Sequence, residues 1–429
     1  MRILHTSDWH LGVSMEQAPR EEEHLRFLDW LIEQINERDV DILVHGGDTF
    51  HYVQPSARCL KIYYDFLARC GRETKLRQII VTGGNHDSAS RLDAPAPVLE
   101  ALNVHVVGGL TGDEDTWSRC LCPIYTEAGD AVEAVVMAVP YMHESRLGVV
   151  TAGLKPMEIR DSMIDKFRGL YAKMADIAEE KYPDIPLITT GHLTCYPDGK
   201  TDVEGAYHTP IHLIEALGSL PPDIFDLRYS YVALGHVHQK IEIAGPNAWY
   251  PGSPIPTDVT ESRTPRHILI VDVDPNKPRA HATVEEVEVP DWRPVFEMFG
   301  APDDLFDRIK DLEWDQELRP YLYLDLHVEA PMPDGMMKLD EVLSSFDNGK
   351  RPRLVRFKET LVNPNNFGGV DPSALRSVPL NELTPTDVFE KMYLLKHGQP
   401  PTDEILTAFM SLLTDEQLEE MKERRGGTK

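Results

Sequence analysis

Cysteine is scarce: five in 429 residues (Cys59, Cys70, Cys120, Cys122 and Cys195), at spacings that match no zinc motif. So sparse and odd a set excludes a disulfide framework and suits a reducing, cytoplasmic compartment. No apolar run approaches the ~20 residues of a membrane span. The opening residues, Met1 to Asp8, read as a strand and lack the apolar core of a signal peptide. Basic side chains are also in deficit. Lys and Arg number 43 against 71 Asp and Glu, a net charge of −28. A surface that acidic excludes broad, unassisted adhesion to nucleic acid or to an anionic membrane. It leaves room for a local basic groove, a metal-bridged phosphate or a basic partner. Internal repeats and low-complexity tracts are lacking too. With 41% hydrophobic and 27% charged residues, the chain is neither disordered nor fibrous, and its length predicts two or three domains.

What is present is an alternation of short β-branched runs with helical stretches over residues 1–290, the pattern of a layered α/β domain. Strands are expected at Arg2–Thr6, Asp41–His45, Gln78–Thr82, Val104–Val107, Ala134–Val139, Leu187–Thr190, Tyr231–Leu234 and His267–Val273. Leu25, Leu28, Leu31, Ile32 and Ile35 recur near a 3.6-residue period and predict a helix between the first two. Over 291–360 the order changes to strand, helix, strand, helix, strand, enough for a small α+β domain. The Pro-, Asn- and Gly-rich stretch 361–383 reads as a linker. Residues 384–429 read as short helices. Thr384 with Pro385 starts one, with Val388, Phe389, Met392 and Tyr393 on one side. Thr402 starts another, with Ile405, Leu406, Phe409 and Leu413 on its apolar face. Such a tail either lies in a partner's groove or docks on its own domain.

The strand ends carry the chemistry. Asp8 and His10 lie two apart after the first strand, so both side chains of an extended segment face one way. Asp48 follows Gly46 and Gly47 after the second strand, and Asn85, His86 and Asp87 follow Gly83 and Gly84 after the third. His192 follows Gly191. His236 and His238 follow Gly235 and again lie two apart. Ligands of α/β sheets gather beyond the C-terminal ends of the strands. Taken singly, each motif has an ordinary reading as a turn or a cap. Together they offer at least three imidazoles, two carboxylates and an amide oxygen, too many for one ion of ordinary coordination. They suit two divalent ions that share a carboxylate, with the mixed N/O ligation of Mn, Fe or Zn. Such a pair hydrolyses phosphoesters by activating water and neutralising the phosphoryl oxygens.

These motifs, Asp8-Trp9-His10, Gly47-Asp48, Gly84-Asn85-His86-Asp87, Gly191-His192 and Gly235-His236-Val237-His238, resemble the signature of the calcineurin-like metallophosphoesterases. The opening through Leu11 and Gly12, the segments Cys122-Pro123-Ile124 and Gly191-His192-Leu193-Thr194, and Gly252 to Pro256 narrow the likeness to the recombination-nuclease branch of bacterial SbcC–SbcD complexes. The resemblance implies a four-layer αββα metallophosphoesterase domain at 1–290, a small α+β capping, DNA-recognition domain at 291–360, and a C-terminal helical tail. Asp8, His10 and His238 would hold one ion, Asn85, His192 and His236 the other, with Asp48 between them. His86 would be the general acid, its ring oriented by Asp87, with a metal-ligand role as the alternative that its neighbour Asn85 already fills, and His51 would touch the substrate phosphate or cap its turn. The implied activity is a Mn-dependent DNA nuclease, a double-strand 3′–5′ exonuclease and single-strand or hairpin endonuclease. It would work in the bacterial cytoplasm, at the nucleoid when acting, as a homodimer. An SMC-like ATPase of the SbcC type would bind residues 384–429. A phosphoesterase for small molecules or phosphoproteins would share every ligand. A non-catalytic scaffold would have no use for them.

Gly46, doubling Gly47, and Thr49 in place of a bulkier aliphatic are small departures from the family pattern that bear on the loop's shape alone. Cys120 and Cys122 alternate along a strand and predict no metal or redox site. Arg351, Arg353, Arg356 and Lys358 form the densest basic cluster and read as a solvated strand edge.

Overall fold

The computed structural model describes residues 1–149, 153–196, 219–347 and 350–362, with 389, 393, 401, 402, 405, 406 and 409 further on. It divides into two compact units: Met1–Glu297 with Trp314–Leu322, and Met298–Glu313 with Tyr323–Lys429.

The first unit is built on two six-stranded sheets. In chain order its elements begin with β1 (Arg2–Thr6), a short hairpin of β2 (Ser14–Met15) and β3 (Ala18–Pro19), α1 (Glu21–Glu37) and β4 (Ile42–His45). They continue with α2 (Ala57–Glu73), β5 (Gln78–Thr82), α3 (Ala89–Asp93), α4 (Ala96–Glu100), β6 (Val104–Val107), β7 (Leu121–Tyr125) and β8 (Val132–Met137). Then come α5 (Pro156–Lys181), β9 (Leu187–His192), β10 (Tyr229–Gly235), β11 (Ile241–Ile243), β12 (Ala248–Tyr250), β13 (Arg266–Asp272) and β14 (Thr283–Val289). One sheet runs β14-β13-β1-β4-β5-β6 and the other β11-β12-β10-β9-β8-β7. Strands β1, β4, β5 and β6 are parallel neighbours, as are β8, β9 and β10.

Period-2 alternation sorts the first sheet's side chains into two cores. Ile3, Ile42, Val44 and Ile80 join a core with the second sheet and α5. Leu4, Leu43, Ile79 and Val81 join one with α1 and α2. The layers are therefore helix, sheet, sheet, helix. Helix α1 lacks a side-chain N-cap but starts with three glutamates and buries Phe27, Leu28, Leu31, Ile32 and Ile35. Each such burial is worth about 1.5–3 kcal/mol, so packing, more than capping, fixes this helix. Leu25, expected on the same face, is 36% exposed.

A third, three-stranded sheet, most of whose residues belong to the second unit, has the order β15 (Val295–Gly300), β16 (Tyr321–Val328), β17 (Arg353–Leu361). Helices Pro302–Lys310 and Gly335–Leu343 accompany it. Strand β17 is an edge strand, and its Lys358 pairs with Asp325 while Arg351, just before it, pairs with Asp340. The expected linker and tail helices fall largely outside the described residues. Within them, the rings of Phe389 and Phe409 stack at 4.0 Å and 6°.

Candidate metal centre

The C-terminal ends of β1, β4, β5, β9 and β10 deliver every strand-end residue to one place. Asp8, His10, Asp48 and His236 all take left-handed backbone, with φ of 53°, 46°, 54° and 93°. The sheets hold these turns by backbone ties: Asp8 N–H to the Gly47 carbonyl (2.9 Å) and His10 N–H to the Asp48 carbonyl (3.0 Å). The N–H of His236 donates to both Asp8 oxygens, at 2.9 and 3.1 Å. Contact dictates the glycines at these turns, Gly47, Gly83, Gly84 and Gly235 among them. A Cβ on Gly84 would lie 2.1 Å from Asp48 Oδ1 and 2.3 Å from its backbone nitrogen. Gly84→Ala is therefore expected to cost about 1–3 kcal/mol of stability by overpacking, read as a lower midpoint of chemical denaturation.

Among the described residues, three groups of donor atoms each lie within 4.8 Å of one another: Asp8, His10 and His238; Asp8, Asp48 and His192; and His10, His51 and His86. His10 Nε2 faces His238 Nε2 at 2.9 Å. His192 donates Nδ1–H to the Gly46 carbonyl (2.9 Å), which turns its Nε2 toward Asn85 Oδ1 at 2.9 Å and Asp48 Oδ2 at 3.4 Å. His236 Nδ1 reaches the same Asn85 oxygen at 3.0 Å. Lone pairs of nitrogen and oxygen thus point at one another in a buried space. That arrangement repels unless a proton or a cation sits among them. The donor set of imidazole, carboxylate and amide oxygen fits divalent ions such as Mn, Fe or Zn.

The charges of the cluster are interlocked. Burial raises the Asp8 carboxyl against the pull of His192 and His238. Burial also pushes Asp48 upward, but His192, His10 and His86 outweigh it and hold Asp48 well below the usual range. Burial disfavours charge on His192, yet Asp48 and Asp8 lift it to about 9, whereas His10 is driven well below its ordinary value by burial.

His86 stands beside these groups, half-buried. Its Nδ1–H donates to the His51 carbonyl (2.9 Å), leaving Nε2 for another partner. Its backbone N–H donates to Asp48 Oδ1 at 2.8 Å. The rings of His86 and His51 stack at 5.5 Å. Burial lowers His51 to about 4, and its Nδ1 has no hydrogen-bond partner among the described residues. The expected role of Asp87 is not what the geometry shows. Its carboxylate accepts the N–H groups of Thr49, Phe50 and Gly84, all at 3.0 Å, so it ties the turn after β4 to the turn after β5. The His51 carbonyl, instead, orients the His86 ring. Burial raises Asp87 to about 6. Cys120 and Cys122 are both buried free thiols, pushed up to about 12.

Two supporting residues escape the sequence reading. His24, a histidine on the buried face of α1, lies 2.6 Å from the Trp9 carbonyl, between the candidate ligands Asp8 and His10. Glu261, in the loop before β13, lies 2.7 Å from His238 Nδ1. A histidine within an apolar stripe was a usable signal for the first; no spacing links Glu261 to His238.

The profile of the calcineurin-like phosphoesterases matches residues 1–240. Among curated relatives, the SbcD component of the SbcCD nuclease of Rhodobacter capsulatus is 32% identical over 356 residues, spanning 81% of this chain and 85% of that one. The component of the same name from Escherichia coli K12 is 30% identical, over 76% and 78% of the two chains. That of Bacillus subtilis is 27% identical over 98% of this chain and 100% of its own.

Proposed function

This chain belongs to the calcineurin-like phosphoesterases, among the relatives of the SbcD component of SbcCD nucleases, and from that membership we propose that it is a metal-dependent DNA nuclease. The observation that carries the reading is the convergence of Asp8, His10, Asp48, Asn85, His192, His236 and His238 at the adjoining strand ends of two sheets.

Asp8, His10 and His238 would hold one divalent ion and Asn85, His192 and His236 a second, with Asp48 shared. Two ions, manganese in the favoured case, would supply an activated water and positive charge against the phosphoryl oxygens. The chain's own residues do the rest. His86, fixed through Nδ1 by the His51 carbonyl, presents Nε2 to the leaving oxygen and gives it a proton. His51 offers its ring to a phosphate oxygen, and Asp87 keeps both turns in place.

The substrates are double-stranded ends, degraded 3′–5′, and single strands or hairpins, cut internally. Domain roles follow the sequence: the nuclease domain at 1–290, a capping domain for DNA recognition at 291–360, a linker at 361–383, and a docking segment for an SMC-like ATPase of the SbcC type at 384–429. The chain acts as a homodimer in the cytoplasm, at the nucleoid. A nuclease chain of net charge −28 leaves most of the DNA-holding charge to the ATPase.

End-labelled duplex and hairpin DNA, incubated with the purified chain and Mn²⁺, should be shortened and opened respectively. Excess EDTA should abolish both reactions and added Mn²⁺ restore them. Turnover of a small phosphodiester with DNA untouched, even with the ATPase present, would replace the nuclease by a small-substrate phosphoesterase.

A further inference from the structure

His238 differs from His192 and His10 in what stands behind its ring. A backbone carbonyl stands behind His192, and His10 Nδ1 has no hydrogen-bond partner among the described residues. Behind His238 stands the carboxylate of Glu261, with Oε1 2.7 Å from Nδ1. A carboxylate oxygen only accepts, so Nδ1 of His238 carries the proton and its Nε2 lone pair faces His10 and Asp8.

Glu261 is itself fixed. It is 8% exposed. Its Oε2 accepts the Thr257 N–H at 2.8 Å, and Oε1 accepts the Thr257 hydroxyl at 3.0 Å. A second connection runs through the main chain. The buried guanidinium of Arg266 donates to the His238 carbonyl (2.6 Å) and to the Glu261 carbonyl. The loop before β13 is thereby bound to the end of β10 by a side-chain route and a main-chain route, 23 residues apart in sequence.

We propose that Glu261 is a positioning residue that tightens one ion site, the one formed by Asp8, His10 and His238, in preference to the site of Asn85, His192 and His236. This rests on the two-ion reading above. The carboxylate fixes the His238 tautomer and ring angle and makes Nε2 a stronger donor. Such outer partners typically change metal affinity by about 10–100-fold.

The test is Mn²⁺ binding by the full chain, followed by calorimetry and by the electron paramagnetic resonance of free Mn²⁺, with wild type, Glu261→Gln, Thr257→Val and His10→Ala in parallel. The expected result is two equivalents bound by wild type. Glu261→Gln should weaken one of them by about 10–100-fold and leave the other unchanged. Thr257→Val, which loosens Glu261 without removing it, should shift the same equivalent by less. Should Glu261→Gln fail to fold, judged by its melting temperature in excess chelator, the shift in Thr257→Val decides. Unchanged affinity in every variant that folds, or equal weakening of both equivalents, overturns the role of Glu261. A wild type that binds fewer than two equivalents, or a His10→Ala variant that binds like wild type, overturns the two-ion reading itself.

Discussion

Changing His86 to alanine is expected to slow DNA cleavage by about 10²–10⁴-fold while divalent-ion binding persists. The two effects separate because His86 serves the site through different atoms. Its backbone N–H orients Asp48 Oδ1 at 2.8 Å, and alanine keeps that bond. The ring, tied at Nδ1 to the His51 carbonyl, has only its Nε2 left to offer a substrate on the proposed reading, and alanine removes it. Single-turnover cleavage of a labelled hairpin, beside Mn²⁺ titration of the same protein, reads both. The deficit should shrink on a nitrophenyl phosphodiester, whose leaving oxygen departs without a proton. An equal loss on both esters would assign His86 to binding instead of to proton transfer.

The second large effect is expected at Asp48. Asp48→Asn keeps the shape and the acceptor for the His86 N–H but removes the charge that lies between His10 and His192. Asp48 Oδ2 lies 3.6 Å from His10 Nε2 and 3.4 Å from His192 Nε2. A neutral amide there presents its NH₂ or a weak oxygen to both. Loss of a supporting outer residue costs about 10–100-fold in metal affinity, and a shared direct ligand should exceed the upper end of that range for both ions. Cleavage should fall to background at micromolar Mn²⁺ and recover only partly at high Mn²⁺. Calorimetric titration that still finds one tight equivalent would refute the sharing.

Strands buried on both faces were the most legible part of the fold. Strands β1, β5 and β6 begin and end where their apolar runs do, because the sheets here are covered by helices or by each other. Strand β14 (Thr283–Val289) was not legible. Glu285, Glu286 and Glu288 break its apolar character, and the physical reason is its place at an open edge beside β13, where charge discourages pairing with another chain. Helix α5 was obscured differently: Gly169, Ala172, Ala175 and Ala178 dilute the contrast of a stripe that does bury Met163, Phe167, Leu170 and Met174.

At the site, the candidate ligands could be read because each lies at the end of its strand or just beyond it, so local geometry and chemical type point the same way. Asp87 misled because adjacency to His86 suggests a pair. In the fold the two side chains diverge, one to three backbone amides and the other to the His51 carbonyl. Glu261 was invisible because its tie to His238 is purely tertiary.

The left-handed backbone at Asp8, His10, Asp48 and His236 has a bearing on how this protein can be improved. Each such residue costs on the order of 1–2 kcal/mol relative to a right-handed one, less for Asp, which tolerates the region better. Glycine would relieve that cost at all four positions, but it would remove the candidate ligands and, at Asp8 and Asp48, the acceptors of the His236 and His86 N–H groups. A selection for heat resistance that is blind to activity has no reason to keep these four side chains, and a survivor that trades one for glycine loses part of the donor set. Directed evolution of a hardier form has to screen for turnover in every round and look for its gains elsewhere, in the loops and on the edge strands.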